Sequence, residues 1–317
     1  MERIEGKLDL DSYFKHKTYH ELVANGTIKN NMQFKNRKDE NDRFTNFMLN
    51  VDNITYYVKE SNYPVTELVV EEFAKLLGFD NAHYDLATFD GIDYVISPSY
   101  KKTGGGYDYV TGHDILSKYY KYLKREGKDY LELINSKELF GGYYHAYYLN
   151  NLENIWMALS YYFKVRYDRD EIVYKLVTEL KRRFFFKSLL LFDADYHPCN
   201  WEMEIDASVN LCPMFDNESC LISDIYGVPF GIMPEYTNES ISNHLQAFLS
   251  YSSDIDILEF IELFNKATPE LFKQAIEMVL KRTSPNLEIP NVLLEKYTTN
   301  YEKLKNIINE YRGKNGR

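Results

Sequence analysis

The stretch Leu189-Leu190-Leu191-Phe192-Asp193-Ala194-Asp195-Tyr196-His197-Pro198-Cys199-Asn200-Trp201 reads as three things in succession. It is the apolar end of a long helix, then a polar loop with two carboxylates, an imidazole and an amide, then the first residue of a strand. A short β-like interval follows from Trp201 to Phe215, and its last strand, 210–215, ends in Asp216-Asn217. A buried helix and a hairpin therefore hold Asp195, Asn200 and Asp216 near one another on rigid supports. Taken singly, Asp and Asn are ordinary occupants of turns and helix ends. The order of parts carries the information.

Upstream, 44–60 reads as two alternating strands around Val51-Asp52-Asn53, closing on Thr55-Tyr56-Tyr57-Val58-Lys59. After Pro64 the period changes: Leu68, Val69, Phe73, Leu76 and Leu77 share one face of a helix that stops at Gly78. A second hairpin, 84–89 and 92–96, turns at Asp90-Gly91. Lys101-Lys102-Thr103-Gly104-Gly105-Gly106 is the flexible-looking boundary, and beyond it the period is helical over 113–126, 151–167, 170–191, 254–266, 269–282 and 290–312. The expected fold is α+β and two-lobed. Residues 1–102 form a small strand-rich N-lobe with one helix, and 103–317 a larger, mainly helical C-lobe.

Phosphoryl transfer from a nucleotide needs the inventory of the central loop. One carboxylate accepts or orients the proton of the acceptor hydroxyl, while an amide oxygen and a second carboxylate hold the magnesium that screens the phosphates. In protein kinases the catalytic-loop Asp precedes the metal-binding Asn by five positions. Asp195 and Asn200 have that separation, and Asp216 arrives after the intervening hairpin.

The run from Phe192 to Trp201, followed by Leu211-Cys212-Pro213-Met214-Phe215-Asp216-Asn217-Glu218-Ser219-Cys220-Leu221, resembles the catalytic and metal-binding segments of HipA-like serine/threonine kinases, in particular the short, stand-alone type. In that family the loop reads Asp-x-His-x-x-Asn and the later strand reads Pro, two residues, Asp. The helix Thr66-Glu67-Leu68-Val69-Val70-Glu71-Glu72-Phe73-Ala74-Lys75-Leu76-Leu77-Gly78 resembles the family's N-lobe helix, and together the matches span 50–225.

The resemblance implies a protein-kinase-like fold that uses ATP and Mg2+. It implies Asp195 as catalytic base, with His197 bracing the loop, and Asn200 and Asp216 as magnesium ligands. Lys59 would meet the nucleotide phosphates and be held by Glu67, with Glu71 one turn away as the substitute partner. The adenine would lie against backbone of 96–101, where Ser97 and Tyr100 sit. No glycine-rich stretch precedes the first hairpin; the polar run 35–43 offers Arg37, Lys38 or Arg43 to phosphates instead. The implied partner is a protein substrate with a Ser or Thr acceptor, with a toxin–antitoxin pairing as a further option. The extra N-terminal subdomain of full-length HipA proteins does not fit in this length. The segment 223–242, with Gly227 and Gly231, is equally an activation loop or an ordinary connection.

Composition sets limits on other classes. The chain has 317 residues, 37 Lys plus Arg against 48 Asp plus Glu, a formal charge of −11, and 44% hydrophobic residues. An acidic balance argues against a main role in neutralising nucleic-acid phosphates or anionic lipid, so direct nucleic-acid binding and membrane binding are not expected. The chain has 29 Tyr and 19 Phe, and most of the Tyr recur at helical or strand spacing, as core and boundary residues do. The first fourteen residues are charged throughout and unlike a secretion signal. The apolar run 184–192 is interrupted by Lys187 and too short to span a bilayer. Three Cys give no disulfide framework, so a cytoplasmic location is expected, with export as an effector left open.

Rival readings follow from the same residues. A zinc site of His197, Cys199, Cys212 and Cys220 lacks any Cys-x-x-Cys knuckle. Cysteine nucleophilic catalysis with His197 lacks a nucleophile elbow. A catalytically inactive pseudokinase that binds nucleotide or a partner, and a small-molecule phosphotransferase, remain as alternatives.

Overall fold

The computed structural model describes residues 3–4, 6–30, 43, 45–61, 63–102, 104–127, 152–166, 170–193, 198–221, 254–283 and 291–315. In chain order the strands are β1 (Arg3–Ile4), β2 (Lys7–Asp9), β3 (Ile28–Asn30), β4 (Asn46–Val51), β5 (Ile54–Lys59), β6 (Asp85–Phe89), β7 (Ile92–Pro98), β8 (Asp108–Thr111), β9 (Glu202–Ile205) and β10 (Val209–Leu211). The helices are α1 (Leu10–Tyr13), α2 (Tyr19–Ala24), α3 (Pro64–Leu76), α4 (Gly112–Arg125), α5 (Leu152–Arg166), α6 (Asp170–Phe184), α7 (Asp254–Lys266), α8 (Pro269–Thr283) and α9 (Asn291–Asn315). Two compact units emerge, one of Met1–Thr103, Asp216–Glu218 and Pro269–Leu294, the other of Gly104–Phe215, Ser219–Thr268 and Glu295–Arg317.

The first unit is built on a seven-stranded mixed sheet, order β1-β2-β6-β7-β5-β4-β3, in which only β2 and β6 run parallel. Two hairpins form its centre. Asp52 and Asn53 at the first turn have φ of 48° and 64°, and Asp90 and Gly91 at the second have 55° and 75°. Two successive positive-φ residues give the turn whose twist matches that of paired strands. Alternation along β4 buries Phe47, Leu49 and Val51 on one face, where they join Leu10, Tyr19, Leu22, Val58, Phe89 and Tyr94.

α3 starts with Pro64 at its first turn and ends at Leu76, capped by Leu77 and followed by Gly78 at φ +79°. Everything from Val65 to Ala74 on it is buried, including Glu67, Glu71 and Glu72. A helix buried all round needs cover on more than one side. α8 supplies part of it, with Phe272 edge-on to Phe73 at 5.1 Å.

One helix was expected in the first hundred residues, and the described residues there hold three, because α1 and α2 are short additions. Four and six residues are too few for helical periodicity to declare itself. Their caps do: Asp9 accepts from the Ser12 amide, and Thr18 with Glu21 forms a reciprocal capping box.

The second unit packs α4, α5 and α6 around a core that includes Leu116, Leu159, Phe163, Leu176 and Trp201. The expected hairpin is β9–β10, and β8 adds a third antiparallel strand to it. α6 passes into a π-helical turn, Phe185–Leu190, within the segment read as one continuous helix. Gly112 sits where a Cβ would fall 2.1 Å from the Trp201 ring, so the first turn of α4 approaches that indole as only glycine can. Among the described residues no helix is long and apolar enough to cross a membrane.

Candidate functional site

Lys59 is the last residue of β5, paired in register with Asn46 on β4 and Val95 on β7, so its backbone is fixed on both sides. Its ammonium meets Glu67 Oε1 at 2.8 Å, Asp216 Oδ1 at 2.7 Å and Glu218 Oε2 at 3.1 Å. Glu67 lies in the first turn of α3 with no exposed side-chain surface, while the Lys59 side chain keeps 26% of its own. Burial alone would depress the ammonium's pKa; the charges of Asp216, Glu67 and Glu218 outweigh it and hold Lys59 protonated well above its ordinary range. For Glu67 burial raises the pKa, and the neighbouring Lys59 cation pulls against that rise.

The backbone of 216–218 is anchored to the same unit. Asp216 adopts φ +57°, a left-handed conformation uncommon outside glycine. Its amide donates to Tyr84 Oη at 2.8 Å, and the Asn217 amide donates to Glu67 Oε2 at 2.8 Å. Glu67 thus uses one oxygen on Lys59 and the other on the chain just past Asp216. Ser61 Oγ donates to Glu218 Oε1 at 2.8 Å, and Asn217 Nδ2 to Asn81 Oδ1 at 3.4 Å. Burial and the Glu67 charge push the Tyr84 hydroxyl's pKa well above its usual value, so this hydroxyl stays neutral.

Glu71 does not take Glu67's place. Its Oε1 accepts from Lys75 at 2.5 Å and faces His83 Nδ1 at 2.6 Å, while Oε2 accepts from the Tyr84 amide at 2.9 Å and from Arg282 of α8 at 3.4 Å. Burial would raise this carboxyl's pKa, but these donors outweigh it and hold it below the usual value.

In the second unit Asn200 closes a 3-10 turn, Pro198–Asn200, and is buried. Asp195 and His197 lie outside the described residues, as do Arg37, Lys38 and 223–242. Arg43 pairs with Asp90 at the second hairpin turn, 3.3 Å away. Ser97 is buried on β7 opposite Tyr57, its hydroxyl donating to the Pro98 carbonyl at 3.5 Å, and Tyr100 follows the strand half-buried. Cys212 and Cys220 are buried thiols and Cys199 is half-buried. Among the described residues no three His, Cys, Asp or Glu side chains cluster as a metal site.

The structure thus brings Lys59, Glu67 and Asp216 together in one unit. Sequence reasoning passed over Glu218, Ser61 and Tyr84. Glu218 stands two residues after Asp216, and that acidic pair was the available signal.

No protein-family model matches the chain, and no curated protein matches it. Solved structures do. One is the proinflammatory kinase CtkA of Helicobacter pylori, with 14% identity and a TM-score of 0.50 over 87% of this chain and 97% of that one. Another is HipA of Shewanella oneidensis MR-1, from a toxin–antitoxin complex with HipB and operator DNA. It has 16% identity and a TM-score of 0.51 over 91% of this chain and 69% of that one. The fold is α+β, with an N-terminal mixed sheet and a mainly helical C-terminal part, and the CtkA kinase is among its structural neighbours.

Proposed function

We propose that the chain is an ATP- and magnesium-dependent kinase acting on Ser or Thr of a protein. The observation that carries this reading is the meeting of Lys59, Glu67 and Asp216 in one cluster. In protein kinases a strand lysine paired with a helix glutamate, and a metal-binding aspartate, must both be in place for transfer. Here the lysine ends β5, the glutamate opens α3, and the aspartate follows the β9–β10 hairpin in sequence.

The donors suit the metal. Magnesium is a hard cation that takes oxygen ligands, and the proposed pair is an Asp216 carboxylate and an Asn200 amide. Bound there, magnesium would neutralise charge on the phosphates. Lys59 keeps its proton across the working range and binds phosphate oxygens as a fixed cation. Glu67 orients it from a buried position. Asp195 accepts or orients the proton of the acceptor hydroxyl, with His197 bracing its loop. The adenine edge would meet strand backbone near Ser97 and Tyr100.

Transfer of radiolabelled phosphate from ATP to protein extract and, in parallel, to small-molecule pools tests the reading. Lys59→Met, Asp195→Ala and Asp216→Ala should each lower transfer at least about 10²-fold, since each removes positioning or charge stabilisation. Labelling confined to the small-molecule pool would replace the protein acceptor by a metabolite.

One observation favours a second reading. Glu218 is a third carboxylate on Lys59, and it competes with phosphate for the ammonium. Nucleotide binding without transfer to any acceptor would leave a pseudokinase. An antitoxin-type partner belongs to the same proposal and is tested by co-purification of the full chain.

A further inference from the structure

The second unit contains a buried ion pair that none of the roles above uses. Lys187, with 1% of its side chain exposed, faces Asp193 Oδ2 at 2.8 Å, and Asp193 has no exposed side-chain surface. The same ammonium donates to the carbonyl of Phe215 at 3.1 Å, and Asp193 Oδ1 accepts from Ser219 Oγ at 2.5 Å. Two backbone bonds reinforce the tie: the Asp193 amide donates to the Lys187 carbonyl, and the Leu221 amide to the Leu191 carbonyl, each at 2.8 Å.

The positions matter. Asp193 is two residues before Asp195, Phe215 immediately precedes Asp216, and Ser219 lies three residues beyond Asp216. One ammonium and its carboxylate therefore bind the entry to the loop carrying the proposed base and both flanks of the proposed metal ligand. The local backbone is shaped for this. Lys187 stands in the π-helical turn Phe185–Leu190, whose extra residue per turn re-aims side chains and is common at functional sites. Phe192 at φ +52° and Leu221 at φ +63° take left-handed conformations that non-glycine residues adopt only where surroundings enforce them. Asn300 of α9 donates to the carbonyls of Leu189 and Leu190 at 2.9 and 2.6 Å, holding the end of that turn.

We propose that Lys187, Asp193 and Ser219 are positioning residues for phosphoryl transfer, fixing the Asp195 and Asp216 segments in one register. The proposal rests on the kinase reading. A buried ion pair is weak as a source of stability, because apolar residues of similar volume often do as well; holding backbone in one register is its better-attested use.

The test compares the full-length parent with Asp193→Asn, which keeps size and an acceptor for Ser219 but removes the charge, and with Ser219→Ala. Asp195→Ala sets the background. Melting temperature, kcat per folded molecule and KM for ATP are measured for each. Asp193→Asn should lower kcat about 10²-fold with KM for ATP within about 2-fold, because sub-ångström misplacement of reacting groups costs rate before binding. Ser219→Ala should show the same split, with roughly a 5-fold loss. If Asp193→Asn does not fold, the Ser219→Ala split decides. A lowered melting temperature with unchanged kcat per folded molecule overturns the positioning role. A parent that transfers no phosphate overturns the kinase reading and this inference with it, whereas an active parent with unaffected variants overturns this inference alone.

Discussion

Glu71 shows how much one buried carboxylate can be asked to do. It answers Lys75, His83, Arg282 and the Tyr84 amide at once, and those donors keep its pKa below the usual 4.5. A lowered folded-state pKa means stability that is fully present above the unfolded value and is lost as pH falls through the folded one. Urea melts from pH 7 down to pH 3 should show the parent losing stability below about 4.5, with Glu71→Gln flattening that slope. At pH 7 Glu71→Gln should cost about 3 kcal/mol, the usual scale for removing a charge from a buried network. Gly112 is the second test at this scale. Gly112→Ala drives a methyl into the Trp201 indole and should cost about 3 kcal/mol in a denaturant melt, unless α4 retreats. Sequence named Glu67 for Lys59 with Glu71 as the substitute, since both lie on one face of α3 a turn apart. Local spacing cannot separate them. What separates them is tertiary: His83 and Tyr84 before β6, with Arg282 far along the chain, occupy Glu71.

Among elements, α3 and the two hairpins were legible because each carries local chemistry that fixes it: Pro64 and Gly78 bound the helix, and Asp52-Asn53 and Asp90-Gly91 accept positive φ. β8 was not legible. Its four residues join β9 across some ninety positions of chain, and such a pairing leaves no periodic trace. The π-helical turn after α6 was equally hidden, since its residues keep the apolar pattern of a continuous helix. Of the candidate site, the ends of the polar segments were readable as residue types, whereas Ser61 and Glu218 meet across 157 positions, and the Lys187–Asp193 pair depends on the hidden π-helical turn. The α3–α8 contact gives a prediction for elements. Phe272→Ala empties a fully buried ring site against Phe73 and should cost about 4 kcal/mol in stability. The capping box that opens α4 gives a smaller one: Thr111→Ala should cost about 1 kcal/mol, measured the same way.

For the whole molecule, the consequential fact is that the first unit is discontinuous. α8 enters it from position 269 onward, bringing Phe272 and Arg282 to α3. A fragment of residues 1–103 leaves Phe73, Glu71 and Glu72 without those partners. Expressed alone it should bind a hydrophobic dye and lack a cooperative melt, and the same fragment fused through a flexible linker to 269–294 should regain one. A sharp melt from 1–103 alone would show that the sheet suffices.

That split has a cost during synthesis. Roughly 190 residues separate the end of the N-terminal stretch from the completion of its last segment. At typical elongation rates of about 5–20 residues per second, the ribosome needs roughly 10–40 s to deliver them. Throughout that interval the nascent α3 carries an uncovered aromatic face and carboxylates awaiting their arginine. Yield in the cell should therefore depend on chaperone supply more than the finished protein's thermal resistance would suggest.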